Sequence, residues 1–294
     1  MGGWYVCRKN DAAEARLTAA ESQLAAHGFR DVRRFETATH AGLLAGHIHP
    51  GPAATFAAQG EDFIAVAGTL FYDGEASAAA LLRLLADLAL PFDGWDRVTG
   101  HFALLACKGG RLFVLNDYFG AFHVYATPGQ EVVTTSFLAA ARSLPRVTFD
   151  PQGLYEFVFN ATPLGESTVL GEIRKLSAFE QWTLGEGVTV HPVRKGLDAR
   201  FDPEAADAKQ MADRLRALAA GPVRTFGDAI QCPLSGGFDS RLVLALLLDA
   251  GVKPHVYVYG APGDEDVAVA TAIGKAEGFA VEVFDKAAYA RVDP

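Results

Sequence analysis

Residues 232–241 read Cys-Pro-Leu-Ser-Gly-Gly-Phe-Asp-Ser-Arg, and this stretch decides the predicted fold of the second half of the chain. The short apolar-leaning run before it, 228–232, is typical of a buried strand. The run after it, 242–250, is rich in Leu and Ala and is typical of a buried helix that stops at Gly251. The stretch therefore predicts a strand that enters a helix through a tight Gly-Gly loop.

A loop of this kind is a candidate anion site. Gly236 and Gly237 let the backbone turn its N–H groups inward, and the start of the helix adds free donors and a partial positive charge. Ser235 and Ser240 add hydroxyl donors, and Asp239 is a candidate ligand for a divalent metal ion that bridges phosphate oxygens. The chain contains no G-x-x-x-x-G-K-[ST] segment, so this is not a Walker loop. The alternative is an ordinary Gly-rich turn.

The composition indicates a globular protein that needs no disulfide or metal for stability. The chain has 294 residues, a net charge of −9 and 50% hydrophobic residues, and two domains are expected. Cys7, Cys107 and Cys232 are far apart and form neither a disulfide framework nor a zinc pattern, so a cytoplasmic location is expected. The acidic balance argues against nucleic-acid binding, and the longest apolar run is too short to span a membrane.

The pattern of elements divides the chain near residue 195. Strand pairs dominate the first part, which predicts a layered α/β domain over residues 1–195. Residues 196–227 are predicted to hold a linker and an amphipathic helix with Met211, Leu215 and Leu218 on one side. Strand and helix then alternate over 228–294, which predicts a parallel, doubly wound sheet. The clearest expected elements of the first part are the strand pairs 102–107 with 111–116 and 180–184 with 188–193, and helices at 12–27, 78–89 and 151–159.

Two motifs resemble known families. The loop at 235–240 is similar to the PP-motif of the N-type ATP pyrophosphatases, which split ATP into AMP and pyrophosphate. In the first half, 100–104 (Gly-His-Phe-Ala-Leu) and 116–120 (Asn-Asp-Tyr-Phe-Gly) are similar to the G-D-F-A and R-D-x-x-G segments of class II glutamine amidotransferase domains. In this order the motifs resemble asparagine synthetase and its relatives, the β-lactam synthetases and lasso-peptide cyclases.

This resemblance implies an N-terminal layered αββα domain of the Ntn-hydrolase type, followed by a partial doubly wound ATP pyrophosphatase domain. It implies ATP and Mg²⁺ as cofactors and the carboxylate of a small molecule or peptide as substrate, which attacks ATP before an amine displaces AMP. It assigns no catalytic residue in this chain. Asp239 would bind the metal, and the implied ligand-binding residues are Leu234, Ser235, Gly236, Gly237, Asp239, Ser240, Tyr259 and Gly260.

The first departure from the family concerns the source of ammonia. Glutamine-hydrolysing relatives use a cysteine directly after the initiator Met, because its own α-amine acts as the general base. Gly2 occupies that position here, and Cys7 is expected to be a buried, inert thiol inside the first strand. Residues 67–69 (Ala-Gly-Thr) replace the family's Asn-Gly-Glu. We therefore expect a glutaminase-like scaffold without glutaminase activity.

The second departure is that the chain stops before the family's second metal-binding carboxylate. A truncated synthetase half, a homodimer or a partner chain that completes the site is expected. The leading hypothesis is an ATP-dependent amide-bond-forming protein without its own glutaminase. The alternative is a non-catalytic nucleotide-binding or partner-binding remnant of such an enzyme.

Four other polar residues or pairs also have roles that the sequence suggests. His47 and His49 are more typical of a surface pair than of a metal site. His101 is expected to be a hydrogen-bonded turn residue, and Asp117 is expected to stabilise a turn. Arg241 is equally compatible with a phosphate contact and with a salt bridge on the first turn of the helix.

Overall fold

The computed structural model describes residues 3–29, 31–46, 48, 51–193 and 207–285. The chain divides into two compact units, residues 1–199 and 200–294. Gly2, the histidine pair at 47 and 49 and the linker near 196–206 lie outside the described residues, so the predictions made for them stay predictions.

The first unit contains two antiparallel sheets of six strands each. The strands of the first sheet are β1 (Gly3–Arg8), β2 (Val32–Glu36), β3 (His40–Ala45), β8 (Tyr125–Ala126), β9 (Val132–Thr134) and β10 (Arg174–Lys175). Those of the second are β4 (Phe56–Gln59), β5 (Asp62–Tyr72), β6 (Val98–Lys108), β7 (Arg111–Asn116), β11 (Glu180–Leu184) and β12 (Val188–Pro192). The first sheet has the order β10-β8-β9-β1-β3-β2, and the second has the order β12-β11-β7-β6-β5-β4.

The two sheets pack face to face because their central strands are apolar on both sides. In β5, Phe63 and Ala65 point into the core between the sheets, whereas Ile64 and Val66 point to the outer side. Trp4 of β1 and Trp182 of β11 are fully buried in the core between the sheets. Strands that are apolar on both faces require cover on the outside as well.

Helices provide that outer cover. The helices of the first unit are α1 (Ala13–Ala26), α2 (Ala78–Asp87), α3 (Phe137–Arg142) and α4 (Pro151–Asn160). Helices α1 and α3 pack on the outer face of the first sheet through Leu17, Leu24 and Ala139, and α2 packs on the second sheet through Leu81 and Leu84. The resulting order of helix, sheet, sheet and helix confirms the predicted layered αββα architecture.

The second unit contains a parallel sheet with the order β13-β14-β15. Its elements are α5 (Ala208–Phe226), β13 (Gln231–Pro233), α6 (Phe238–Asp249), β14 (His255–Tyr259), α7 (Glu265–Glu277) and β15 (Val281–Phe284). Val256 and Val258 of β14 pack against Leu244, Leu247 and Ala270 of the helices. These three strands of the described residues confirm the predicted parallel α/β arrangement.

Several local predictions were wrong. The strand expected from residue 228 begins at Gln231, because residues 227–229 form a 3₁₀ turn. Helix α6 was expected to be buried, but in α6 only Leu244 and Leu247 are buried. On α5, which was predicted as an amphipathic helix with Met211, Leu215 and Leu218 on one side, Leu215 is partly buried, whereas Met211 and Leu218 are exposed. Strands β2 and β4 were not predicted. No helix within the described ranges combines the length and the apolar character needed to cross a membrane.

The layered core predicts that a buried leucine contributes more to the free energy of unfolding than an exposed one. Leu105 of β6 is fully buried between the sheets, so Leu105→Ala should lower the free energy of unfolding by about 3 kcal/mol through lost burial and a cavity. Leu138→Ala, on the exposed side of α3, should change it by less than about 0.5 kcal/mol. Urea denaturation followed by circular dichroism measures both values. Equal effects of the two substitutions would contradict this packing.

Candidate functional site

The Gly-Gly loop begins where strand β13 ends. The N–H of Leu234 donates to the backbone oxygen of Tyr257 at 2.8 Å, which extends the parallel pairing by one residue. The Leu234 side chain is buried in the core of the second unit. Ser235 is therefore the first loop residue beyond the sheet, at the carboxyl end of the strands, where α/β sheets bind ligands.

Two serine hydroxyls hold the loop together. The Ser240 hydroxyl oxygen accepts a hydrogen bond from the N–H of Ser235 at 3.2 Å and lies 3.1 Å from the Ser235 hydroxyl oxygen. The Ser235 hydroxyl in turn accepts from the N–H of Gly237 at 3.2 Å. The loop is thus closed by short contacts between its own ends, and both hydroxyls point into its interior.

A carboxylate from outside the loop occupies one of its N–H donors. The N–H of Gly236 donates to Oδ1 of Asp266, in the first turn of α7, at 2.7 Å. A Cβ atom on residue 236 would lie 3.0 Å from that same oxygen, so glycine leaves the space that the carboxylate needs. The loop therefore already binds a negatively charged oxygen, as an anion-binding loop must.

The start of α6 lies beside this contact. Gly237 is the N-cap residue and no side chain caps the helix, so its first N–H groups have no side-chain acceptor there. Asp239 is exposed in the first turn. Arg241 donates to the backbone oxygen of Gly237 at 3.1 Å and lies over the Phe238 ring at 4.5 Å. No salt bridge of Arg241 is seen among the described residues, and its phosphate contact stays a prediction.

Asp239 supplies a single carboxylate for a metal ion. Among the residues that the structure describes, no group of three or more His, Cys, Asp or Glu side chains is placed to hold a metal. An ion at Asp239 would therefore take its remaining ligands from phosphate oxygens and water, which is the usual way in which proteins bind Mg²⁺.

Tyr259 and Gly260 play different parts at the end of β14. The Tyr259 side chain is half exposed, and its ring centroid lies 5.4 Å from those of Tyr257 and Phe284. Because side chains alternate along a strand, Tyr257 and Tyr259 lie on the face opposite Val256 and Val258. Gly260 is buried and its N–H donates to the backbone oxygen of Phe284 at 3.0 Å. Gly260 is thus a structural residue whose N–H is already used.

The structure brings Ser235, Gly236, Gly237 and Ser240 together, with the exposed Asp239 on the same helix turn. Leu234 and Gly260 contribute through packing and pairing. Sequence reasoning missed Asp266, which lies in the first turn of α7 and was assigned to no site. The available signal was an acidic residue in the first turn of the helix that follows the neighbouring strand.

The structure of the first unit tests the predictions made for Asp117, His101 and Cys7. Asp117 accepts hydrogen bonds from the N–H groups of Phe119, Ala121 and Phe122, which confirms its turn role. His101 lies in strand β6, so the turn prediction was wrong. Cys7 is fully buried in β1, which confirms the predicted buried position, and burial raises the pKa of its thiol to about 11.

Comparisons with known proteins give only a loose likeness. No family model matches the chain, and no curated protein matches it. Among solved structures, it is similar to an allosteric regulatory enzyme of purine biosynthesis, with 12% identity and a TM-score of 0.39. It is also similar to glutamine phosphoribosylpyrophosphate amidotransferase from B. subtilis complexed with ADP and GMP, with 11% identity and a TM-score of 0.37. The alignments cover 96% of this chain and 65% of each of those chains.

The contact between Gly236 and Asp266 predicts a measurable change in amide exchange. Asp266→Ala removes a charged acceptor, so the Gly236 amide proton should exchange with solvent roughly tenfold faster. Asp264→Ala is the matched control, because Asp264 accepts from Ala261 at 2.8 Å and not from Gly236. Amide hydrogen exchange followed by NMR measures both. The same acceleration in both variants would show that α7 as a whole, and not the Asp266 carboxylate, protects the loop.

Proposed function

We propose that this chain is an ATP-dependent, carboxylate-adenylating protein of the asparagine-synthetase type that lacks glutaminase activity of its own. The observation that carries this proposal is the hydrogen bond of 2.7 Å from the Gly236 N–H to the Asp266 carboxylate. It occurs in a loop between a parallel strand and a helix, the setting in which proteins bind phosphate groups. The sequence Ser-Gly-Gly-Phe-Asp-Ser at 235–240 supports the choice of pyrophosphate as the bound group.

Each loop residue would have a defined part in binding the nucleotide. The N–H groups of Gly236 and Gly237 and the hydroxyls of Ser235 and Ser240 would donate to the leaving pyrophosphate. Asp239 would hold Mg²⁺, which neutralises phosphate charge when bound. The half-exposed Tyr259 ring would stack on the base. Leu234 and Gly260 would shape the site through packing.

In this proposal the reaction joins a carboxylate to an amine. The carboxylate oxygen attacks the α-phosphorus of ATP, the bond to the β-phosphate oxygen breaks, and pyrophosphate leaves. The amine then displaces AMP and forms the amide. The loop contributes by positioning and by charge stabilisation, which are the main sources of catalysis in phosphoryl and nucleotidyl transfer.

Asp266 would have to leave the loop when pyrophosphate binds. Two anionic oxygens on one N–H repel each other, and the carboxylate lies on the donor that the phosphate needs. Asp266 is exposed at the start of α7, so its side chain has solvent to move into. The carboxylate would thus compete with the nucleotide for the loop.

The buried thiol of Cys7 supports the part of the proposal that concerns glutaminase activity. Cys7 lies in the interior of β1, fully buried, with burial raising its pKa to about 11. A protonated, inaccessible thiol is a poor nucleophile. The amine would therefore come from the substrate or from a partner.

The alternative function, a non-catalytic partner-binding protein, is favoured by one observation. Tyr257, Tyr259 and Phe284 form an aromatic cluster on the face of the parallel sheet opposite the helices of the second unit. Parallel sheets are usually covered on both faces. A homodimer or a completing partner chain would supply such cover. Release of pyrophosphate by the isolated chain in the presence of ATP, Mg²⁺ and a carboxylate would rule this alternative out.

The metal role of Asp239 predicts a loss of nucleotide binding. Asp239→Ala should weaken binding of Mg²⁺–ATP at least about tenfold, because the metal loses its only charged protein ligand in the loop. Asp249→Ala, at the far end of the same helix and paired with Arg216 at 2.8 Å, should bind as the unmodified chain does. Isothermal titration calorimetry measures both affinities. Absence of Mg²⁺–ATP binding by the unmodified chain would contradict the proposal.

If the Asp266 carboxylate competes with the ligand for the loop, removal of its charge should strengthen ligand binding. In buffer with a chelator and no metal, Asp266→Asn should bind pyrophosphate about fivefold more tightly, since roughly 1 kcal/mol of charge repulsion is removed. Glu277→Gln removes an equal charge at the last residue of α7 and should leave the affinity unchanged. Calorimetric titration with pyrophosphate reports this difference. Weaker binding by Asp266→Asn would show that Asp266 supports the ligand instead of competing with it.

A further inference from the structure

The first unit contains a small, mostly apolar cavity that the proposed function does not use. Its volume is about 260 Å³, slightly below the ~300–1,000 Å³ usual for drug-sized ligands. Tyr125 of β8, Phe137 of α3 and Phe157 of α4 line it, together with Val169. Aromatic and aliphatic walls of this kind favour an apolar body of about ten non-hydrogen atoms.

Lys175 places a positive charge in the wall of this cavity. The residue is only 7% exposed, and its Nζ atom donates to the backbone oxygen of Pro163 at 2.7 Å. An ammonium group has three N–H donors, so this bond leaves donors for another acceptor. Among the described residues, no carboxylate lies within 4.0 Å of this Nζ atom. Burial lowers the pKa of Lys175, as expected for a cation that lacks a close counter-ion.

The acidic side chain whose charge acts on Lys175 is hydrogen-bonded to other groups. Glu156 of α4 raises the pKa of Lys175 by its charge, but only as a minor effect. Its two carboxylate oxygens accept from the side-chain amide of Gln152 at 2.8 Å and from the N–H of Leu164 at 2.7 Å. Glu156 thus fixes the segment that carries Pro163 and does not neutralise the lysine.

Two further polar groups line the same cavity. His123 lies 3.3 Å from the Tyr125 hydroxyl, and burial, followed by the charge of Lys175, lowers its pKa. A neutral imidazole carries one N–H donor and one acceptor nitrogen, and the tautomer decides which nitrogen plays which part. The Ser167 side chain also lines the cavity. An apolar cavity with one buried cation and neutral donors matches an amphipathic anion with a single charge.

We propose that this cavity is a binding site for a small carboxylate with an apolar or aromatic body, with its carboxylate on Lys175 and its body against Phe137 and Phe157. A carboxylate completes the hydrogen bonds of the ammonium group and supplies the counter-ion that a buried cation lacks. The apolar walls exclude a highly charged phosphate, which would need several cations. This site is independent of the proposed nucleotide function.

Phenylacetate is a suitable probe, because it combines one carboxylate with one ring. Titrated against the full chain and followed by NMR, it should show saturable binding. Lys175→Met should weaken that binding at least about tenfold, and 2-phenylethanol, which has nearly the same shape but no charge, should bind unmodified protein at least about tenfold more weakly. Lys9→Met removes a surface lysine that pairs with Glu36 at 2.7 Å and should have no effect.

A measurement on the unmodified chain covers the case in which Lys175→Met does not fold. Intermolecular NOEs from the phenylacetate ring should reach the methyl groups of Val169 and the ring of Phe137. NOEs to a different set of residues would overturn the proposal, as would the absence of saturable binding. Equal binding of phenylacetate and 2-phenylethanol, or unchanged binding by a folded Lys175→Met variant, would overturn it as well.

Discussion

The need to cover both faces of the strands β5 and β6 shapes the first unit. Their side chains are apolar on both sides, so one face packs on the other sheet and the other face packs on helix α2. Four layers are the simplest arrangement that removes all of this surface from water. In the second unit, helices of that unit cover only one face of the described sheet. There Tyr257 and Tyr259 pack against Phe284 and remain partly exposed.

Local signals in the sequence predicted the elements that local chemistry controls. The hairpin of β6 and β7 follows from alternation around Gly109 and Gly110, and Ser77 caps α2 by accepting from Ala80 at 3.1 Å. Strand β2 was missed because Val32–Glu36 carries mostly charged residues, and its pairing with β3 is a tertiary contact. The exposure of α6 was also missed, because an apolar composition does not say which neighbours a helix has.

The residues of the loop at 235–240 could be predicted from the sequence, but the carboxylate that contacts the loop could not. Glycines and serines at fixed spacing indicate an anion site, but the partner of Gly236 comes from Asp266, thirty positions further along the chain. Such a partner depends on how α7 packs beside the loop.

The two proposed sites also differ in the charge that each already contains. The loop already holds an internal anion that a ligand has to replace, whereas Lys175 is a cation with no close counter-ion among the described residues.

The positions of the tryptophans have an optical consequence. All three, Trp4, Trp95 and Trp182, belong to the first unit, and two of them are fully buried between its sheets. The second unit contains tyrosines and no tryptophan. Light absorbed by indole therefore reports on one unit alone. A ligand at the Gly-Gly loop that changes tryptophan emission therefore changes the surroundings of a residue in the first unit, whereas a ligand that leaves the emission unchanged does not.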